Sequence, residues 1–216
     1  MGRENFRYFL RIGAQITFLA VFASLIWSGL TQFWLVIFGA GVIGSVVFDR
    51  FYCGWVCPMG TLARPIGWIY EKFGIERLQT PELLRKGRWR WIGLVALALT
   101  MVYLRIAGNQ LPVFLIVALI GVGFFLVWEE ETFHKYICPY GVILSVTSRP
   151  SKFGMSVDKS KCTGCGACQE GCPNNAIATL DSDAREIESE GCLTCFRCED
   201  ACSVGAIEYR NTGDIE

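Results

Sequence analysis

The chain has 216 residues, 52% of them hydrophobic, with 20 basic and 20 acidic side chains, 11 Cys and a single His. One His excludes a membrane haem stack, which needs paired axial ligands inside its spans, and the basic residues follow no aromatic-basic pattern of the kind that binds nucleic acid. The net charge of zero hides a division: residues 1–149 carry 14 basic and 8 acidic side chains, whereas residues 150–216 carry 6 and 12.

In chain order, Arg3, Arg7 and Arg11 precede an apolar run over residues 12–28. A spanning helix needs about 20 mostly apolar residues. Further candidates are residues 33–48, 91–106 and 111–128, so the expectation is an all-α membrane region of four helices in two hairpins. The basic start also fits a signal peptide, but no small-x-small cleavage site follows before the next run, so a retained signal anchor is expected. Gly39, Gly41 and Gly44 interrupt the second run, and small residues at that spacing let helices pack closely. The interiors of the runs, with Arg105 only at the end of the third, lack acidic or basic residues to relay protons.

Basic loops stay on the cytoplasmic side of a membrane. The N-terminal arm and residues 50–90 are rich in Lys and Arg, including Lys86, while the connections 29–32 and 107–110 are uncharged. Both termini are therefore expected in the cytoplasm, with the chain multi-pass in the inner membrane. Residues 65–91 mix Trp68, Ile69, Phe73, Trp89 and Trp91 with basic side chains and read as an interfacial helix against lipid headgroups. A quinone headgroup fits between that segment and Trp55, though aromatic belts occur at every membrane surface.

Two runs end in related words, Cys53-Gly-Trp-Val-Cys57-Pro58 and His134-Lys-Tyr-Ile-Cys138-Pro139. In a helix, positions four apart share a face, and a following Pro ends the helix. Each half of the membrane region thus closes on the same word, which predicts a parallel internal repeat. Cys53, Cys57, Cys138 and His134 together offer a Cys3His set for a third metal centre. The alternative is that Cys-Pro is a small buried residue with a helix stop and that His134 lies at the interface.

The tail repeats one spacing, Cys162, Cys165, Cys168, Cys172 and then Cys192, Cys195, Cys198, Cys202. CxxC pairs also make zinc sites, but a third Cys two residues on and Pro173 after the fourth do not fit a zinc ribbon. The run resembles that of bacterial two-cluster ferredoxins, over about residues 151–210. The resemblance implies that the fourth cysteine of each run serves the other cluster: Cys162, Cys165, Cys168 and Cys202 for one, Cys192, Cys195, Cys198 and Cys172 for the other. Gly164 and Gly166 let the first loop wrap tightly. Ser203 stands where the second run usually has Pro, and Phe196 is expected to shield a cluster.

With CGWVCP after the second run, a CP-x-G word after the fourth and the trailing double cysteine run, nearly the whole chain resembles the NapH-type membrane ferredoxins, related to MauN and to the C-terminal half of NosR. His134 departs from the family's usual second CxxxCP. The resemblance implies a four-span membrane domain over residues 1–149 and a small α+β ferredoxin domain with two 4Fe-4S clusters over residues 150–216. It implies an electron-transfer subunit, not a complete enzyme, that passes single electrons between quinol or a cytoplasmic donor and a respiratory reductase or c-type cytochrome. Some relatives instead serve as accessory factors for a metalloenzyme. Direction of flow and the terminal partner stay open.

Overall fold

The computed structural model describes residues 3–85, 87–108 and 111–211, with side chains from residue 6 onward. Lys86, Asn109, Gln110 and the Arg3 side chain, which enter the charge reading, lie outside these.

Helix α1 (Arg3–Trp27) leads through a 3-10 turn to α2 (Trp34–Phe48), and α6 (Arg88–Ile106) is followed by α7 (Val113–Val127). Three stretches are long and apolar enough to cross a membrane: Phe6–Trp27, Thr31–Phe48 and Arg88–Ile106. The fourth run yields only 15 helical residues, because Pro112 precedes it and Trp128 is extended. At 1.5 Å per residue it rises about 22 Å, short of a hydrocarbon core of about 30 Å. Ile43, Ile92, Val95, Leu99 and Ile106 point outward, as lipid-facing side chains do.

The two Cys-Pro words make corners: each closes a short helix and opens another, apart from the ends of the apolar runs. Helix α2 has already stopped at Phe48, where Asp49 takes φ 59, and the short α3 (Phe51–Trp55) follows. Cys57 is extended, and Pro58 opens α4 (Pro58–Phe73), a position where its missing N–H costs nothing. The second half repeats this: α8 (Glu130–Tyr136), extended Cys138, then Pro139 opening α9 (Pro139–Thr147). Even the hydrogen bonds match, Cys57 N–H donating to Tyr52 O at 2.9 Å and Cys138 N–H to Phe133 O at 2.7 Å.

The interfacial segment is also broken differently from expectation. Helix α4 ends at Phe73, capped by Gly74 at φ 63, and only the four-residue α5 (Glu82–Arg85) intervenes before α6. Leu78 there forms a parallel bridge with Trp128.

Aromatic side chains fill the membrane-region core. Trp34, Phe38, Tyr52, Phe114 and Tyr140 interlock edge-on or tilted, with Phe114 and Tyr140 centred 4.5 Å apart and Trp34 Nε1 donating to Tyr52 Oη at 2.9 Å. Gly41 and Gly44 earn their place here: a Cβ on either would strike Tyr52 or Phe51, at 2.5 and 2.7 Å. Gly39 faces open space.

A second, separate core forms in the tail. Strand β1 (Phe153–Val157) pairs antiparallel with β4 (Ile207–Asn211), and β2 (Ile177–Thr179) with β3 (Arg185–Ile187). Two one-turn helices, α10 (Ala167–Glu170) and α11 (Arg197–Asp200), carry the middle of each cysteine run. Met155, Val157, Ile177 and Ile207 pack with cysteines from both runs.

Candidate iron–sulfur sites

Each cysteine run begins as a loop and ends after one helical turn, and left-handed residues set the curvature. Gly164 and Gly166 do this in the first loop; Thr194 and Phe196 take φ 49 and 61 in the second. Gly164 is required twice over, since a Cβ there would also lie 2.7 Å from Asp183 O.

The loops bring the eight thiols together in two groups of four. One cavity is lined by Cys162, Cys165, Cys168 and Cys202, with Val157, Ala206 and Ile207. The other is lined by Cys172, Cys192, Cys195 and Cys198, with Ile177, Leu193 and Phe196. The fourth cysteine of each run faces the other run's cavity. Backbone amides of Ala176, Thr194 and Ala206 donate to Cys172, Cys192 and Cys202 Sγ at 3.3–3.4 Å.

Four soft donors around an apolar hollow with inward amides fit an iron–sulfur cluster, and the surrounding charge fits too. Arg11 and Arg50 are 4% and 3% exposed beside the second cavity. Arg11 Nε, Arg50 Nε and Arg64 Nη2 are buried without a hydrogen-bond acceptor. Burial, with Arg11 and Arg197 nearby, pushes Arg64 down to about 10. Guanidinium N–H groups buried without an acceptor favour negative charge beside them, and thiolates holding a cluster supply it. Bound there, such a cluster adds and releases single electrons.

The Cys-Pro corners sit between this cavity and the membrane helices. Cys57 and Cys138 are buried, Cys53 is half-buried, and Arg50 Nη2 lies 3.9 Å from Cys53 Sγ. The His134 ring rests on Phe125 and Phe133. Burial pushes the Cys138 thiol up to about 12 and His134 down to about 3. Among the described residues no three His, Cys, Asp or Glu side chains converge as a single ion requires. A cubane spreads its thiolates over separate corners, so that finding bears on a mononuclear site and not on a cluster.

Sequence reasoning missed what joins the two halves. Arg7 pairs with Glu199 at 2.5 Å, Arg11 Nη1 donates to Cys195 O, and Trp55 Nε1 donates to Thr194 O at 3.2 Å. Gln15 Nε2 holds Gly54 O beside this contact, at 2.7 Å, so the first half of the Phe6–Trp27 stretch meets the ferredoxin unit. Gly54 was the available signal, a glycine inside a cysteine word.

Apolar helices joined to a small α+β unit that gathers thiols into two hollows define a membrane iron–sulfur electron-transfer protein. Comparison agrees: residues 30–76 and 110–156 match the model of a 4Fe-4S binding domain, and residues 154–203 that of a 4Fe-4S dicluster domain. Uncharacterized protein MJ0749 of Methanocaldococcus jannaschii is 30% identical, over 78% of this chain and 67% of its own. Ferredoxin-type protein NapH of Haemophilus influenzae is 26% identical, over 83% and 70%. MauN of Methylorubrum extorquens, a methylamine utilization ferredoxin-type protein, is 27% identical over 78% and 64%, and regulatory protein NosR of Pseudomonas aeruginosa 24% over 91% and 27%. No solved structure matches. The chain belongs to the NapH-type 4Fe-4S ferredoxin family.

Proposed function

We propose that residues 150–216 form a ferredoxin domain carrying two 4Fe-4S clusters, one held by Cys162, Cys165, Cys168 and Cys202 and one by Cys192, Cys195, Cys198 and Cys172. The observation that carries this is the sorting of eight thiols into two cavities with the run-to-run exchange of the fourth cysteine. Residues 1–149 anchor it as a multi-pass inner-membrane domain with both termini cytoplasmic, the short α7 making the fourth crossing where the bilayer thins around it, and the basic connections on one side only support this reading. In this arrangement the protein passes single electrons between quinol or a cytoplasmic donor and a respiratory reductase partner.

Iron and acid-labile sulfide in anaerobically purified protein test it: eight irons are expected per chain, and an iron-free preparation overturns it. The 4Fe-4S binding domain match over both Cys-Pro halves favours a further centre at Cys53, Cys57, Cys138 and His134. That extension predicts more than eight irons, with the surplus lost in Cys57→Ala. An accessory role, in line with that of the regulatory protein NosR, predicts instead that the mature partner enzyme turns over in vitro without this chain.

A further inference from the structure

The two cavities are held differently. The second loop lies on Cys53-Gly54-Trp55, and its carbonyls are taken by donors from the membrane region. Arg50 Nη1 donates to Glu190 O at 2.8 Å, Trp55 Nε1 to Thr194 O, and Arg11 Nη1 to Cys195 O. Thr194 Oγ1 donates to Asp49 Oδ2 at 3.3 Å. Gly54 lets the backbones meet, since a Cβ there would fall 2.6 Å from Leu193 O. Trp55 also meets Phe196 edge-on, 5.9 Å between ring centres. The first loop is braced from within the ferredoxin unit, by Arg185 Nη2 donating to Gly164 O at 2.9 Å, and Cys165 is exposed.

We propose that Arg11, Arg50, Gly54 and Trp55 clamp the second loop by its carbonyls, making the Cys172/Cys192/Cys195/Cys198 centre the membrane-side one and leaving the Cys162/Cys165/Cys168/Cys202 centre open to an outside redox partner. This rests on the two-cluster reading above. Carbonyls drawn outward leave the intervening amides turned inward, as the Thr194 N–H on Cys192 Sγ shows. Amides and a buried guanidinium favour the reduced, more negative state of the centre they face, and burial leaves that attraction poorly screened. Trp55 is a positioning residue that acts through the loop.

The full chain, cluster-loaded and in lipid nanodiscs, is reduced stepwise with dithionite and followed by electron paramagnetic resonance, with Cys198→Ser and Cys165→Ser assigning the signals. Arg11→Gln is expected to lower the one-electron reduction equilibrium of the membrane-side centre about tenfold, about 59 mV, with the other centre unmoved. Arg11→Lys, which keeps the charge, restores most of it, and Trp55→Phe shifts the same centre. In the wild type, dysprosium-EDTA in the aqueous phase is expected to relax the Cys165 signal strongly and the Cys198 signal weakly. Equal shifts of both centres, no shift, or equal relaxation overturns the proposal. Should Arg11→Gln not accumulate, the relaxation measurement on the wild type decides alone. Wild-type protein without iron would instead sink the two-cluster reading itself.

Discussion

Gly54→Ala perturbs the seat between the two halves with one methyl group. Its Cβ would lie 2.6 Å from Leu193 O and 2.8 Å from Thr194 O, both backbone atoms in a loop with little freedom to yield. Carbon and oxygen tolerate about 3.3 Å, so the seat must open by about 0.7 Å. Overpacking of this kind costs about 1–3 kcal/mol. The opening also stretches the Trp55 bond to Thr194 O, 3.2 Å in the wild type, beyond useful length, at a further cost of about 0.5–1.5 kcal/mol. A total of about 1.5–4.5 kcal/mol lowers the ratio of docked to undocked ferredoxin unit by about 12- to 1,600-fold, since 1.4 kcal/mol is a factor of ten. Hydrogen exchange of the amides over 190–195, in nanodiscs, reads that ratio directly. Wild-type protection in a folded Gly54→Ala protein would refute the close-approach argument.

Trp34→Phe removes the buried indole donor on Tyr52 and is expected to destabilise the membrane region by about 1–3 kcal/mol, seen as a lower thermal midpoint in detergent; an unchanged midpoint would contradict the role given to that bond. Burial holds the Asp49 carboxyl at about 6, above its ordinary 3.8, so its ionisation costs stability that is intact below 3.8 and lost as pH rises through about 6. Asp49→Asn should flatten the decline of thermal midpoint with pH across that window, and an equally steep decline in the variant would count against it. Cys198→Ser is expected to halve the iron bound per chain while leaving the signal of the Cys162-side centre in place; loss of all iron would show that the two centres do not load independently.

Local signals in the chain were enough for much of this. The cysteine spacing announced two runs of thiols, because ligand geometry fixes how many residues separate neighbouring donors, and the exchange of the fourth cysteines was what the family resemblance implied. Hydropathy announced the apolar helices, because a membrane rewards length and composition over any particular packing.

What the sequence could not reveal depends on groups far apart in the chain. The Cys-Pro words read as the ends of the apolar runs, yet they close the short α3 and α8 and open α4 and α9, because the runs had already ended before Asp49 and Trp128. The fourth apolar run, long by composition, is trimmed to 15 helical residues by its flanking backbone. Above all, only the folded chain seats Gly54 and Trp55 against Leu193 and Thr194, some 139 residues away, and surrounds one thiol cavity with buried guanidinium groups while the other meets solvent. Composition counts charges, but burial decides which of them a cluster would feel.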